Sequence, residues 1–256
     1  MTSPLSAENI SVSFGGNHVL SGLDLQINRR FTGLIGPNGA GKTTLFNVIS
    51  GYVTPSAGSV EILGSDVTGL GQVEIARLGV GRTFQTPKLI GDLSVVENVM
   101  IGLDGRTSLL AQLSEGLISR SSARAKRARA IEVLEKFALA GVAEEEAGSL
   151  PLGSQKIVEV CRALVTEPAL LLLDEPAAGL GRDDVEQLVE PLRDWVAAHD
   201  VSVVIIEHDL ELVNNLCEDV AVLHLGTIIS RGTPAECMSD PQVVEAYLGA
   251  GFAQRS

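Results

Sequence analysis

Residues 36–43 bring together glycines, one lysine and one hydroxyl at a spacing that suits the binding of phosphate groups. They read GPNGAGKT, which fits the pattern G-x-x-x-x-G-K-S/T, and they lie between a predicted strand and a predicted helix. Glycines let backbone N–H groups converge on phosphate oxygens, and the N-terminus of the following helix adds partial positive charge. We therefore expect Lys42 to reach the β- and γ-phosphates and the Thr43 hydroxyl to bind Mg²⁺.

Polar residues at the ends of later apolar runs supply a second set of groups. The apolar run 170–173 ends at Asp174 and Glu175. A buried strand there carries Asp174 to the carboxyl edge of a parallel sheet, where it can hold Mg²⁺, and places Glu175 to polarise an attacking water. His208 follows another apolar run and can contact the γ-phosphate. Gln85 ends a strand, where it can sense Mg²⁺ and the water.

Each of these residues also has a simpler interpretation when taken alone. The Asp174–Glu175 pair can cap the next helix, His208 can be a surface residue beside a helix cap, and Gln85 can be an ordinary polar residue. The phosphate loop upstream favours the chemical interpretation, because the loop and the carboxylate pair are complementary halves of one phosphoryl-transfer site.

Apolar periodicity predicts the elements that must position these groups. Strands are predicted over residues 9–14, 19–27, 31–35, 59–63, 169–173, 201–206, 219–225 and 227–231, and helices over 42–50, 94–101, 124–139, 183–198 and 243–248. The glycine-punctuated strands before the first helix predict an antiparallel sheet beside a parallel one. The region 86–150 shows little strand pattern, so we expect a helical insertion there.

Composition narrows the class of protein. The formal net charge is −13 and aromatic residues make up 4% of the chain, which argues against nucleic acid as a partner. Three cysteines with no paired spacing indicate neither a zinc site nor a disulfide framework. The N-terminus lacks a signal-peptide pattern, and no apolar run approaches the roughly 18–20 residues that span a bilayer. We expect a soluble, cytoplasmic chain that reaches a membrane through a partner.

In this order, the motifs resemble the nucleotide-binding subunit of an ATP-binding cassette (ABC) transporter over residues 9–249. The resemblance implies an α/β fold, with a P-loop NTPase core built on a mixed or parallel sheet, an N-terminal antiparallel β subdomain and an inserted helical subdomain. It implies one ABC ATPase domain over residues 1–256. The nucleotide-binding core would comprise residues 1–85 and 156–256, and the helical subdomain residues 86–155.

The resemblance also assigns roles to residues. Phe14 would stack on adenine, Gln85 would couple to the permease, and His208 would be the switch histidine. The implied ATP-binding set is Phe14, Asn38, Gly39, Ala40, Gly41, Lys42, Thr43, Thr44, Gly153 and Ser154. The implied Mg²⁺ ligands are Thr43, Gln85 and Asp174, and the implied catalytic residues are Glu175, His208 and Gln85.

Two segments depart from the family pattern. Residues 150–155 read LPLGSQ where the common signature is L-S-G-G-Q, so the signature serine is missing, although Gly153 remains and Ser154 can supply a hydroxyl. The loop 178–181, which crosses to the other subunit, reads AGLG and lacks the aspartate of the common S-A-L-D. The departures bear on the contacts between subunits, not on the phosphate loop.

Several segments are similar to the branch that takes up branched-chain amino acids. They are residues 174–180 (DEPAAGL), 82–85 (RTFQ), the extra stretch 103–122, and the C-terminal GTP and AYLG sequences at 232–234 and 246–249. This similarity implies an ATP-hydrolysing importer subunit for branched-chain or other hydrophobic amino acids or related small amides.

The implied assembly is a head-to-tail dimer around two ATP, formed with a second copy or a paralogous ATPase subunit. It would serve two permease subunits, and indirectly a substrate-binding protein, at the cytoplasmic face of the membrane. The alternatives are a lipopolysaccharide-export ATPase and a non-transport cassette that acts on nucleic acid. The basic run 120–129 is expected to form a solvated helix face, with anionic lipid headgroups or the permease as alternative contacts.

Overall fold

Two stretches of chain that are distant in sequence build the first of two structural units. The computed structural model describes residues 3–104 and 120–253. One unit comprises Met1–Leu78 and Ser202–Ser256, and the other comprises Gly79–Val201. The predicted division into a nucleotide-binding core and a helical subdomain 86–155 stays a prediction.

The first unit begins with an antiparallel sheet. Its strands are β1 (Leu5–Phe14), β2 (Asn17–Ile27), β4 (Ala57–Ile62) and β5 (Ser65–Asp66), in the order β2-β1-β4-β5. The turn between β1 and β2 has positive φ at both Gly15 and Gly16, a conformation that glycine adopts without steric cost. On β1 the predicted strand alternates as expected at Ile10, Val12 and Ser13, but Phe14, expected on the buried side, is 51% exposed at the end of the strand.

A mixed sheet in the same unit carries the phosphate loop. β3 (Phe31–Ile35) lies between two parallel neighbours, β8 (Ser202–Ile206) and β9 (Asp219–His224), and β10 (Thr227–Gly232) is antiparallel to β9. All five residues of β3 are buried, as expected of a strand that is covered on both faces. The helices of this unit are α1 (Lys42–Ile49), α2 (Gln72–Arg77), α7 (Leu210–Leu216), α8 (Pro234–Ser239) and α9 (Pro241–Ala253).

The second unit pairs β6 (Val80–Arg82) with β7 (Leu170–Asp174) in parallel. Its helices are α3 (Val95–Asp104), α4 (Arg120–Lys136), α5 (Leu152–Leu164) and α6 (Arg182–His199), with short 3₁₀ turns at Ala140–Val142 and Ala147–Ser149. α3 packs against both α4 and α5. Val99, Val133 and Cys161 are fully buried, so apolar faces of these helices form the core.

The predicted fold class is confirmed, and the differences between the predicted and the observed helices have local causes. α4 begins at Arg120, and the chain leaves it before the predicted end because Ala138 adopts a left-handed φ of 57°. The predicted elements omit α2, α7 and α8, because six or seven residues are too few to show a helical period. They also omit the 13-residue helix α5, whose buried face carries the charged residues Lys156 and Glu159 and so is not apolar throughout. Most of the stretch 103–122 lies outside the described residues. No helix in the described ranges is long and apolar enough to cross a membrane.

The backbone at Gly36 leaves no room for a side chain. Its φ is 148°, and a Cβ there would lie 2.0 Å from the Leu223 carbonyl oxygen. We expect Gly36→Ala to lower the free energy of unfolding by roughly 2–4 kcal/mol through strain and overpacking. Gly141→Ala is the matched control, since a Cβ at Gly141 meets no heavy atom within 4 Å and should change stability by less than about 1 kcal/mol. Urea denaturation followed by circular dichroism measures both, and equal midpoints would contradict the prediction.

Candidate nucleotide site

The phosphate loop curls around the side chain of Lys42. Gly36, Gly39 and Gly41 all have positive φ, which lets the loop turn tightly between β3 and α1. Lys42 is 6% exposed, and its ammonium group donates to the carbonyl oxygens of Gly36 at 2.7 Å and Pro37 at 3.1 Å. The cation is therefore held inside the loop where the sequence places a phosphate-binding charge.

The N-terminus of α1 is open to an anion. Gly41 occupies the N-cap position without a side-chain cap, and the first turn carries no acidic residue. Thr43 is exposed and Thr44 is half-buried in that turn. Uncapped backbone N–H groups, the helix dipole and a hydroxyl form a suitable environment for phosphate oxygens.

His208 lies at the same sheet edge as the phosphate loop. β3 and β8 are parallel neighbours with Leu34 opposite Ile206, so the loop and His208 both follow the carboxyl ends of adjacent strands. His208 is exposed, and its backbone N–H donates to the Glu207 carboxylate at 3.2 Å. Phe14, at the end of β1, has 51% of its surface exposed.

A pocket of about 570 Å³ lies beside the phosphate loop, on the side of the C-terminal elements. Residues 37–40 form one wall, and the β9–β10 turn and α9 form the others, with Leu225 and Glu245 among the lining residues. Burial raises the pKa of the Tyr247 phenol on α9, and a hydrogen bond with the Gly36 backbone opposes that shift. The C-terminal helix thus packs directly on the loop.

In the second unit, β6 and β7 bring Gln85 and Glu175 together. The Thr83 backbone N–H donates to the Leu172 carbonyl at 2.9 Å, so the segment that leads to Gln85 continues the pairing with β7. The Gln85 carboxamide donates to the Glu175 carboxylate at 2.8 Å. Glu175 has a φ of 50°, a conformation that non-glycine residues rarely adopt and that occurs often at active sites.

Asp174 lies beside a cation that sequence reasoning missed. Arg82 and Asp174 approach to 3.7 Å, and their side chains are 7% and 5% exposed. The Arg82 guanidinium also lies 5.0 Å from the centre of the Phe84 ring. A neighbouring guanidinium offsets the cost of burying a carboxylate, so Asp174 is stabilised at the end of its strand. The only hint in the sequence was an arginine next to a short apolar strand.

Residues 150–155, the predicted signature, span the start of α5. Leu152 is the first helical residue, and Pro151 precedes it without a side-chain cap. Gly153 is buried, and a Cβ on it would lie 2.7 Å from a carboxylate oxygen of Asp184 in the first turn of α6. Sequence reasoning missed Asp184, which places negative charge next to the signature. Ser154 is half-buried.

Two arginines of the basic run 120–129 form ion pairs within the chain. Arg127 pairs with Glu144. Arg129 pairs with Glu132 at 2.7 Å and with Glu167, and its guanidinium lies 5.3 Å from the centre of the Trp195 ring. These contacts hold one side of α4 against its own unit. The predicted lipid or permease contact of this run stays a prediction.

The oxygen donors at these positions suit Mg²⁺. The described residues contain no cluster of three or more His, Cys, Asp or Glu side chains that could hold a metal by themselves. The predicted ligands are a hydroxyl, a carboxylate and a carboxamide, all of them hard oxygen donors. Mg²⁺ is usually bound through one or two carboxylates together with substrate phosphates, so this donor set fits the ion.

A phosphate loop between a strand and a helix, together with a carboxylate pair after a buried strand, defines the chain as a P-loop nucleoside triphosphatase. A family model for ABC transporters matches residues 20–178, and a second model, for branched-chain amino acid ATP-binding cassette transporters, matches residues 227–253. The chain belongs to the ABC transporter ATP-binding family, and the predicted resemblance is confirmed. It is an ATPase of the class that is coupled to transport.

Curated relatives match almost the whole chain. The high-affinity branched-chain amino acid transport ATP-binding protein BraF of Pseudomonas aeruginosa is 37% identical over 251 residues, which cover 96% of this chain and 97% of that protein. LivG of Salmonella typhimurium, with the same description, is 36% identical and covers 97% of this chain and 99% of its own length. The lipopolysaccharide export protein LptB of Haemophilus influenzae is 33% identical over 97% of this chain and 98% of its own length.

Solved structures agree with the fold. An ATP-binding cassette of an ABC transporter in its ADP conformation has a TM-score of 0.84 and 33% identity, covering 97% of this chain and 100% of its own. A dimeric cassette in a post-hydrolysis state, bound to ADP and phosphate, has a TM-score of 0.77 and 25% identity, covering 90% of this chain and 98% of its own.

The geometry of Lys42 predicts a direct loss of nucleotide binding. Lys42→Ala removes the cation inside the loop, and hydrogen bonds from a charged group contribute about 1.5–3 kcal/mol each. We expect ATP affinity to fall about 10- to 100-fold, measured by isothermal titration calorimetry. Lys136→Ala, an exposed lysine on α4, is the control and should bind ATP as the parent does. Unchanged affinity in Lys42→Ala would show that the nucleotide binds elsewhere.

Proposed function

We propose that this chain hydrolyses ATP to drive uptake of branched-chain or other hydrophobic amino acids, or related small amides, through a membrane permease. The observation that carries the proposal is the match to the branched-chain transporter model over residues 227–253, combined with 35–37% identity to branched-chain transport ATPases over most of the chain. LptB matches at 33%, so the lipopolysaccharide-export alternative has less support.

The proposed nucleotide contacts follow from the loop and the signature. Lys42 and the N–H groups of residues 38–44 bind the triphosphate, and Phe14 stacks on the adenine. Gly153 and Ser154 meet the γ-phosphate of a nucleotide held by the other subunit. The exposure of Phe14 and the uncapped N-terminus of α1 support the first two assignments.

The proposed hydrolytic groups are Glu175, Gln85 and His208. Thr43, Gln85 and Asp174 would hold Mg²⁺, which neutralises charge on the phosphates. Glu175 accepts a proton from the attacking water, Gln85 orients the Glu175 carboxylate and the water, and His208 contacts the γ-phosphate. The 2.8 Å hydrogen bond between Gln85 and Glu175 supports the shared role of these two side chains.

The proposed assembly is a head-to-tail dimer, with a second copy or a paralogue, that binds two ATP molecules and two permease subunits. It is peripheral, at the cytoplasmic face of the membrane, and a substrate-binding protein acts on it indirectly. Because the transported molecule does not contact the ATPase, the substrate must be tested in the assembled transporter.

Purification of the tagged chain from its own membranes, followed by reconstitution, tests this function. ATP hydrolysis should rise when the binding protein is supplied with leucine, isoleucine, valine or a small amide, and not with lysine. Stimulation by lipopolysaccharide instead, or recovery of the chain without permease subunits, would overturn the proposal.

The role of Glu175 predicts that binding and hydrolysis can be separated. Glu175→Gln keeps the size of the side chain and an oxygen that can accept from Gln85, but it cannot take a proton from water. We expect kcat to fall about 100-fold or more while ATP affinity changes less than about twofold, and dimers to accumulate with ATP on size-exclusion chromatography. Glu186→Gln, on the exposed face of α6, is the control. Turnover near the parental rate in Glu175→Gln would exclude this assignment.

The position of Gly153 predicts a charge effect on the dimer. Gly153→Asp would face a partner's triphosphate with a carboxylate, and like charges about 4 Å apart cost about 4 kcal/mol at an intermediate dielectric. We expect near-parental ATP affinity, no ATP-dependent dimer and little hydrolysis. Gly153→Asn meets Asp184 with a side chain of nearly the same size but repels neither Asp184 nor a phosphate, so it should keep more of both activities. If the two variants behave alike in light scattering and ATPase assays, residues 150–155 do not face a phosphate.

A further inference from the structure

The signature helix α5 carries two charged side chains on a buried face. Lys156 is 6% exposed and Glu159 is 2% exposed, and their spacing of three residues places them on one side of the helix. Burying a charge is unfavourable unless it is paired and hydrogen-bonded. The hydrogen-bond partners of Lys156 and Glu159 therefore show which segments of the chain this helix holds in place.

Lys156 holds the backbone around the proposed catalytic carboxylate. Its ammonium group donates to the Glu175 carbonyl at 2.9 Å and to the Ala178 carbonyl at 2.7 Å. Glu175 has the rare left-handed φ of 50°, which persists only where surrounding contacts enforce it. Ala178 begins the crossing loop, which lacks the aspartate of the common pattern. Lys156 thus links the signature helix both to the backbone at Glu175 and to the start of the crossing loop.

Glu159 holds the loop that contains Gln85. Its carboxylate accepts from the Phe84 backbone N–H at 3.2 Å and from the Lys88 backbone N–H at 2.9 Å. Arg162 on the same helix donates to Glu159 at 3.1 Å and to the Lys88 carbonyl at 2.7 Å. Burial raises the pKa of the Glu159 carboxyl, and these backbone hydrogen bonds oppose the shift. The Gln85 loop is therefore fixed on both sides of Gln85.

We propose that Lys156 and Glu159 are positioning residues for ATP hydrolysis: they hold the Glu175 and Gln85 loops on the signature helix in the register that lets Gln85 bind Glu175. β6 and β7 bring the side chains of Gln85 and Glu175 to 2.8 Å from each other, and α5 anchors the loop on each side of this contact. This inference rests on the proposed role of Glu175. The signature residues lie at the first turn of α5, and the Gln85 loop is anchored to the same helix. Both are therefore connected through α5 to the Glu175 carboxylate.

Removal of one buried charged partner usually lowers stability, so a role in positioning is separated from a role in folding by measuring kcat and ATP affinity on the folded protein. Lys156→Met keeps the length of the side chain and removes the donor. In the assembled transporter we expect kcat to fall about tenfold with little change in KM. Calorimetry on the full chain should show ATP affinity within about twofold of the parent. Lys136→Met, the same change on an exposed site of α4, is the control and should leave kcat unchanged.

Two further variants keep the test decisive. Lys156→Arg retains donors for the two carbonyls and should recover most of the lost kcat. Glu159→Gln retains one acceptor oxygen of the two and should also lower kcat at constant ATP affinity, even if Lys156→Met fails to fold. A parental kcat in folded Lys156→Met, or an arginine variant as defective as the methionine variant, would overturn the proposal.

Hydrogen–deuterium exchange tests the positioning without any hydrolysis. The Ala178 and Leu180 amides donate within the turn that follows Glu175, at 3.2 and 3.1 Å. Lys156→Met should speed exchange across residues 174–181 and leave exchange across residues 36–50 unchanged. Glu159→Gln should speed exchange across residues 84–88 and likewise leave residues 36–50 unchanged. Unchanged exchange would overturn the inference. If the parent chain fails to hydrolyse ATP while these exchange effects appear, the proposed function fails and the positioning stands.

Discussion

A buried ammonium group must be surrounded by acceptors, and two lysines of this chain meet that requirement by gathering backbone carbonyls. Lys42 binds the carbonyls of Gly36 and Pro37, and Lys156 binds those of Glu175 and Ala178. An unpaired buried charge costs on the order of several kcal/mol, so each loop must keep its carbonyls turned inward. The backbone geometry of the phosphate loop and of the segment 175–178 depends on this constraint.

Parallel strand pairs place the polar groups around these loops. β3 and β8 end beside each other and bring the phosphate loop and His208 to one edge. β6 and β7 do the same for Gln85 and Glu175, which then form a hydrogen bond. β3, β7 and β8 are largely apolar and buried, so the polar groups lie at or just past the carboxyl ends of these strands. The same physical rule thus positions polar groups in each of the two units.

The two departures from the family pattern fall in segments whose backbone is held in place by other contacts. The signature lacks its serine, yet Gly153 remains buried at the start of an uncapped helix. The crossing loop lacks its aspartate, yet the carbonyl of Ala178 is held by Lys156. Glycine and a helix N-terminus supply close approach and partial positive charge without a particular side chain. The start of α5 and the Ala178 carbonyl are thus ordered although both segments differ from the common sequence.

Local pattern was sufficient to predict the phosphate loop, the carboxylates at the end of β7 and the long elements other than α5, because motif spacing and apolar periodicity are properties of neighbouring residues. The short helices were missed although Asp209 and the Thr233–Glu236 pair cap two of them, since caps without a period are weak signals. Only the tertiary structure showed the charged contacts of Asp174, Gly153, Lys156 and Glu159. A charged residue on a helix is ordinarily expected to face water, and whether it is buried depends on loops far away in sequence that fold onto that face.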